Sequence, residues 1–409
     1  MFVGVGYSEN PDTSLAAREA VDEATAQARL NYTGDVLYPC DMVLLFSTAE
    51  HDAVALRAAI GEEVGKDVPV IGGGAVGAIS NTRFGYGGEQ IIVALFWFEK
   101  TRYSLFTQDD LIDGEFKAGV EFGGKLARAG VVPDSPMLFF YDAIDRTKGG
   151  VRLTMATPLL AGMEQSLGFL PNLVGAGLQS DYMLSPYQQW AGDRITQHTA
   201  MAMLFSGDVR IDSTIIHGCK PATGYYTVTK AEAQTILEIN NEPAIPFIEK
   251  MLRNEIAAER FPFNLIFGLN QGGRWDEFDE EKYASRLCLA IDPERNGIVM
   301  FEPDMVAGSE FQVMYRGLSL DYIRPRIEDL FRQIEGRRPV LALHINCAGR
   351  AAGLAGIDLE DALEVQACVG TKVPLLGIYT GVEIGQVQGR PQGLDWTGVF
   401  CLFSVPYEK

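Results

Sequence analysis

Met42-Val43-Leu44-Leu45-Phe46-Ser47, a helical stretch near 53–64, Val68-Pro69-Val70-Ile71-Gly72-Gly73-Gly74 and Gln90-Ile91-Ile92-Val93-Ala94-Leu95-Phe96 succeed one another near the N-terminus. The same grammar returns as Pro136-Met137-Leu138-Phe139-Phe140-Tyr141, a helical stretch near 157–167, Pro171-Asn172-Leu173-Val174-Gly175-Ala176-Gly177 and Ala200-Met201-Ala202-Met203-Leu204-Phe205. It returns again as Pro339-Val340-Leu341-Ala342-Leu343-His344-Ile345, a helix near 359–368, Val373-Pro374-Leu375-Leu376-Gly377-Ile378-Tyr379 and Gly398-Val399-Phe400-Cys401-Leu402-Phe403. Self-similarity on this scale governs the fold. Continuous apolar runs that alternate with helical patterns imply sheets covered by helices and joined by long parallel crossovers. The expected class is α/β: repeated strand-helix-strand units forming mixed sheets with covering helices, internally duplicated.

Between the second and third units, Val228-Thr229-Lys230-Ala231-Glu232 reads as a Thr-capped helical turn, and Pro243 and Pro246 punctuate the chain beyond it. A domain boundary placed before this stretch gives residues 1–224, with two units, and residues 225–409, with a meander and the third unit. The meander strands are expected at 265–267, 286–291, 297–301 and 310–315, mixed or antiparallel, before a helix over 323–334.

Acidic residues outnumber basic ones by 54 to 34, a net charge of -20, which repels phosphate backbones and anionic headgroups. Nucleic acid and membrane partners are therefore not expected. The longest strongly apolar run, 91–98, falls far short of the roughly 18–20 residues that span a bilayer, and the N-terminus has no basic leader region. Cys40, Cys219, Cys288, Cys347, Cys368 and Cys401 lack metal-site spacing, so reduced thiols in a cytoplasm are expected.

Gly72, Gly74 and Gly77 satisfy GxGxxG, but no amphipathic helix comes after them, so a structural turn fits better than a dinucleotide site. Gly4 and Gly6 precede a helix over 14–29, which Asp12 or Thr13 can cap; simple strand-to-helix geometry accounts for them. There is no GxSxG elbow and no GxxxxGK(S/T) loop. Cys347 is the one thiol at the C-terminal end of a core strand, where open α/β sheets gather ligands. His344 lies three residues earlier and, on a continuous strand, faces the other way. Residues peculiar to one copy of a repeat are free to serve function, and the third copy is rich in them, with Cys347, Arg350, Thr380, Gly381, Glu383, Gly385, Asp395, Trp396 and Thr397; a ligand pocket is expected at Cys347, Arg350, Tyr379, Thr380 and Glu383. Arginine suits a carboxylate and Glu383 an amine, as a zwitterionic ligand would require; a salt bridge between Arg350 and Glu383 is the structural alternative.

Three groups of residues together resemble the FIST family over essentially the full length: Val70-Ile71-Gly72-Gly73-Gly74; Gly218-Cys219-Lys220-Pro221 with Val228-Thr229-Lys230-Ala231-Glu232 and Glu242-Pro243-Ala244; and Cys347-Ala348-Gly349-Arg350 with Tyr379-Thr380-Gly381-Val382-Glu383-Ile384-Gly385. Lys220 stands where the family usually shows Arg, and Val382 interrupts a common Gly-Glu-Ile run. The resemblance implies a non-enzymatic sensor of small ligands, amino acids among the candidates, that serves a separate signalling partner. Similarity of some members to haem-binding nitric-oxide sensors of a histidine kinase implies an alternative, with His51, His198, His217 or His344 as axial ligand. A thiol-dependent enzyme using Cys347 and a ligand-free interaction scaffold are the remaining readings.

Overall fold

The computed structural model describes residues 1–31, 39–147, 149–253, 256–317 and 319–407. Unit one runs β1 (Phe2–Ser8), α1 (Thr13–Asn31), β2 (Met42–Ser47), α2 (Ala53–Val64), β3 (Val70–Gly74), the hairpin β4 (Gly77–Ile79) and β5 (Phe84–Tyr86), then β6 (Ile91–Trp97). Unit two runs β7 (Arg102–Gln108), α3 (Glu115–Arg128), β8 (Met137–Asp142), α4 (Ala156–Leu167), β9 (Leu173–Leu178), the hairpin β10 (Gln189–Gly192) and β11 (Arg194–Thr196), then β12 (Ala200–Ser206). Unit three runs β13 (Arg210–Ile216), α5 (Ile323–Gln333), β14 (Arg337–Cys347), α6 (Asp361–Val369), β15 (Leu375–Thr380), the hairpin β16 (Glu383–Val387) and β17 (Arg390–Leu394), then β18 (Gly398–Pro406).

Each unit lays its own strands in the order first, fourth, second, third: β1-β6-β2-β3, β7-β12-β8-β9 and β13-β18-β14-β15. Only the second and third are parallel, because a helix crosses over between them. The open side of each third strand is then filled from another unit. The β10-β11 hairpin of unit two pairs with β3, the β16-β17 hairpin of unit three with β9, and the β4-β5 hairpin of unit one with β15. This cyclic exchange yields three six-stranded sheets. Their inner faces share one apolar core, to which the units contribute Leu44 and Phe46, Leu138 and Phe140, and Leu343 and Ile345. The outer faces are covered by α1 and α2, by α3 and α4, and by α5 and α6. Strands buried on both sides have no reason to alternate with polar residues, hence the unbroken runs in the sequence.

The residues between β13 and α5 form a separate all-antiparallel lobe with its own apolar core. Strands lie at the expected places, Ile266–Asn270, Tyr283–Asp292, Gly297–Met300 and Glu310–Arg316, but only the first three run as a meander: the fourth crosses back to pair with Ile266–Asn270, because Gly297–Met300 is already paired with Thr235–Ile239. The Thr-capped helical turn at Val228 to Glu232 does not exist: Tyr226–Glu232 is a strand, because Val228 buries into the lobe core and the chain pairs with Thr235–Ile239. Two carboxylates fasten the lobe to the repeats. Glu302 accepts the first backbone N–H groups of α4, from Ala156 (2.9 Å) and Thr157 (2.8 Å), and Glu280 accepts those of His217 and Gly218.

GxGxxG spans the junction of β3 and β4, strand to strand, as a structural turn should. Gly4 and Gly6 let α1 lie directly on β1: a Cβ on Gly6 would sit 1.8 Å from the Ala20 carbonyl oxygen. The alanine-rich face of α1, with Ala20 and Ala24 fully buried, is the complement of those glycines. No described helix is long and apolar enough to cross a membrane. Because backbone occupies the space a side chain would need, Gly6→Val is expected to destabilise the protein by about 3 kcal/mol, read as a fall in the urea midpoint at unchanged slope.

Candidate functional site

Backbone register identifies the equivalent residues of the three units. At the ends of the second strands, Thr48 N donates to the Gln90 carbonyl (3.1 Å), Asp142 N to that of Thr199 (3.1 Å) and Cys347 N to that of Thr397 (3.2 Å). Leu178 lies opposite Asp142 and Thr380 opposite Cys347 on the third strands. In the exchanged hairpins, Trp190 pairs with Gly72, Ile384 with Gly175 and Ile79 with Gly377, which makes Gln189, Glu383 and Ala78 equivalent. Side-chain alternation along the strands then places one layer of residues over the end of the shared core. Unit one contributes Thr48, Ala75 and Ala78; unit two, Asp142, Leu178 and Gln189; unit three, Cys347, Thr380 and Glu383.

Three of the five residues singled out from the sequence, Cys347, Thr380 and Glu383, thus stand together, and the other two do not. Arg350 and Tyr379 lie on the outer face, under α6. The Arg350 guanidinium is fully buried and pairs with Asp361 at the start of α6, not with Glu383. It also donates to Asn346 Oδ1 (3.2 Å), the carbonyls of His217 (2.7 Å) and Trp396 (3.2 Å), and the Tyr322 hydroxyl (2.9 Å). A guanidinium has five N–H donors, and these contacts use them all. The expected Arg350–Glu383 salt bridge fails because Asp361 is the carboxylate on Arg350's side of the sheet. Tyr379 donates to Glu360 Oε1 (2.7 Å), whose other oxygen accepts from Ala352 N (2.9 Å), so Tyr379 anchors the entry to α6.

Within the layer, Thr380 donates to the Gly177 carbonyl (2.7 Å) and ties unit three to unit two. Glu383 is fully buried, and neither carboxylate oxygen has a well-formed hydrogen bond among the described residues; the backbone N–H groups of Glu383 itself and Thr397 lie near enough to ease its charge without completing one. Burial, reinforced by the neighbouring Asp395 carboxylate, pushes its pKa well above the usual carboxylate range. Asp395 accepts from Leu287 N (2.9 Å) but is itself pushed up to about 7, chiefly by burial. Cys347 is half-buried, and burial together with the Glu383 charge raises its thiol pKa, the opposite of what a nucleophile needs. His344 faces away from Cys347, as alternation along an unbroken strand requires.

Asp142, Gln189 and His198 also border the layer, although a comparison of the units by sequence does not single them out. Asp142 accepts from the backbone N–H groups of Ile144 (3.1 Å) and His198 (2.9 Å), and the His198 Nδ1 lies 3.6 Å away. Gln189 Oε1 accepts from Thr199 N (3.3 Å), while its Nε2 is buried without a partner among the described residues. His198 and Trp396 occupy equivalent positions, two residues before the fourth strands, and both are left-handed, with φ of 52° and 53°. Non-glycine residues pay about 1–3 kcal/mol for that backbone, a cost that recurs at functional sites. Asp142 could have been found as the residue at the end of its strand that Cys347 occupies in unit three. Nothing in the sequence marks the register that brings Gln189 and Glu383 into the layer.

Residues 41–242 match the FIST N domain and residues 244–386 the FIST C domain. An uncharacterised protein of Mycobacterium bovis is 24% identical over 98% of this chain and 99% of its own length. An uncharacterised Mycobacterium tuberculosis protein is 26% identical over 47% of this chain and 50% of its own. Among solved structures, cyanuic acid hydrolase from A. caulinodans covers 100% of this chain and 99% of its own at 10% identity, with a TM-score of 0.37.

Arg350→Ala leaves the buried Asp361 with only the longer contact to Arg316 (3.4 Å) and strips the carbonyls of His217 and Trp396 of their donor, and is expected to cost about 3–5 kcal/mol in chemical denaturation, whatever the protein binds. The raised acids give stability the opposite pH dependence from ordinary paired carboxylates. A carboxyl that keeps its proton in the folded state to about pH 7 stabilises the fold at low pH, and that stability is lost as pH rises from about 4, where the unfolded chain ionises, to about 7. Asp395→Asn should therefore gain stability relative to the parent between about pH 5 and pH 8, with the difference in urea midpoints widening across that interval.

Proposed function

The chain belongs to the FIST family, and on that premise we propose that it senses a small molecule gripped in the polar layer where the three repeat sheets meet. FIST domains are sensory domains of signal transduction, which supports reversible binding over turnover. The observation that carries the reading is Glu383. A buried carboxyl with no hydrogen bond costs folding free energy, and native interiors leave few such groups without a role. An amine offered by an amino acid or related metabolite supplies what Glu383 lacks, with Thr380 and Cys347 beside it. Arg350 and Tyr379 support the site from behind, since their polar atoms are already engaged. The ligand's state is reported to a separate signalling protein, such as a histidine kinase, in the cytoplasm.

Two other readings find less support. A thiol enzyme would require a lowered Cys347 pKa, and its surroundings raise it. For haem, His51 has both ring nitrogens engaged, by Thr13 Oγ1 and the Glu89 carbonyl (both 3.0 Å), and His217 by Cys219 N (3.0 Å) and the Glu280 carbonyl (3.2 Å). His344 is buried in the outer layer, where burial pushes its pKa down to about 4, and His198 faces Asp142. His344 keeps both ring nitrogens unpartnered among the described residues, but at 1% exposure it offers no face to a haem edge, so these residues support haem less well than an amine ligand.

The test is a thermal-shift screen with the common amino acids and simple primary amines. A binder should raise the melting temperature of the parent and leave a cooperatively melting Glu383→Gln variant unmoved. Because burial raises the Glu383 pKa, an ammonium ligand that pairs with its ionised form releases a proton on binding, and affinity should rise with pH between about 6 and 8. A shift of equal size in Glu383→Gln, or none with any compound, would sink the reading.

A further inference from the structure

Unit two carries at its own strand ends the same arrangement that unit three presents, and beside it lies a space. A small enclosed cavity of about 10 Å³, room for one water molecule, is lined by Asp142, Gln189, Gln179, Ser185, Tyr187 and Gly74, among others. Gln189 is 2% exposed, and its Nε2 has no hydrogen-bond partner among the described residues. Its orientation is fixed, because Oε1 already accepts from Thr199 N, so the unmet donor is an N–H of the amide. Asp142 supplies the complementary acceptor. Both of its oxygens are oriented by backbone N–H groups, those of Ile144 and His198.

The correspondence extends to the backbone. Asp142, Gln189, His198 and Thr199 of unit two stand where unit three has Cys347, Glu383, Trp396 and Thr397, and the two left-handed residues match to within a degree. Unit one breaks the pattern. It has Ala78 where the others have Gln189 and Glu383, and its Thr48 hydroxyl is spent on the Gly88 carbonyl. Two of the three repeats therefore hold a buried, incompletely satisfied polar group at the same place, and the third is closed.

We propose that the chain has two ligand sites related by its internal repeat, the second being formed by Asp142 and Gln189 at the junction of units one and two. It takes a small polar molecule that offers an acceptor to the Gln189 amide and a donor to Asp142, as an amino acid or a hydroxyl-bearing amine does. The space between these residues has the volume of about one water. Entry must displace the connection that bears Ser185 and Tyr187, whose neighbour Met183 is already 76% exposed.

This inference rests on the reading of the polar layer as the ligand site, and stoichiometry separates the two. Native mass spectrometry of the full chain, with each common amino acid and ethanolamine offered singly, should show two adducts per chain for a binder. Gln189→Leu and Asp142→Asn, each confirmed to melt cooperatively, should retain one adduct, and Glu383→Gln should retain the other. One adduct in the parent, unaffected at Gln189 and Asp142 but lost in Glu383→Gln, overturns the second site and leaves the unit-three reading intact. One adduct lost in all three variants means a single shared site, which also overturns the proposal. No adduct with any compound removes both.

Discussion

Each third strand in this protein would be an exposed sheet edge if its unit stood alone, and each is closed by a hairpin lent from another unit. An unpaired edge is a template for aggregation, and unpaired backbone groups that are buried without partners are costly. The lending is cyclic, so no unit can be satisfied until all are present. The chain accordingly has one shared inner core and not three. Sheets pinned this way at their edges leave little freedom in how the strand ends approach one another. The layer over the core is therefore positioned by backbone pairing throughout, without dependence on loops.

That layer lies between an apolar core and the ends of the strands. Below it the shared core is apolar in all three units, and behind it the outer faces are closed by helices. Unit three shows two opposite solutions to burying charge. On the outer face Arg350 and Asp361 neutralise each other and every guanidinium N–H finds an acceptor, a network that fixes α6 against its sheet. In the polar layer Glu383, on β16, has no such partner, and burial pushes its pKa up instead. The first arrangement is what structure alone requires, and the second is what structure alone would remove.

Most of the fold was legible because its cause is repetitive. Doubly buried strands leave continuous apolar runs, and helical crossovers between parallel strands leave amphipathic stretches of predictable length, so both recur three times in the lettering. The hairpins were not legible. Gln189-Trp190-Ala191-Gly192 and Gly77-Ala78-Ile79 are short, and their partners lie in other units, so no local pattern encodes the pairing. The strand Tyr226–Glu232 misled for a related reason: Thr229 and Glu232 mimic a helix cap, while the pairing that decides the matter comes from residues further along the chain. In the polar layer, Cys347, Thr380 and Glu383 were legible because unit three differs from its siblings there. Arg350 was legible on the same grounds, but its donors are spent on Asp361 and its neighbours, and a buried arginine that braces a helix looks in a sequence like one that binds a ligand.

The antiparallel lobe gives the arrangement its asymmetry. It belongs to no repeat, yet it touches the layer's surroundings in both units that retain polar groups. Glu302 holds the start of α4 in unit two. In unit three, Asp395 receives Leu287 N from the lobe, and the Trp396 ring packs among Cys219, Ile266, Leu287 and Met314. Trp396 is also the left-handed residue whose carbonyl Arg350 grips. A strained residue persists only where its surroundings over-determine it, and here they come from two directions, the repeat core and the lobe. Any shift of the strand ends that relaxed Trp396 would have to move its neighbours in the lobe as well. The lobe and the polar layer are therefore mechanically one system, although they arise from separate parts of the sequence and have separate hydrophobic cores.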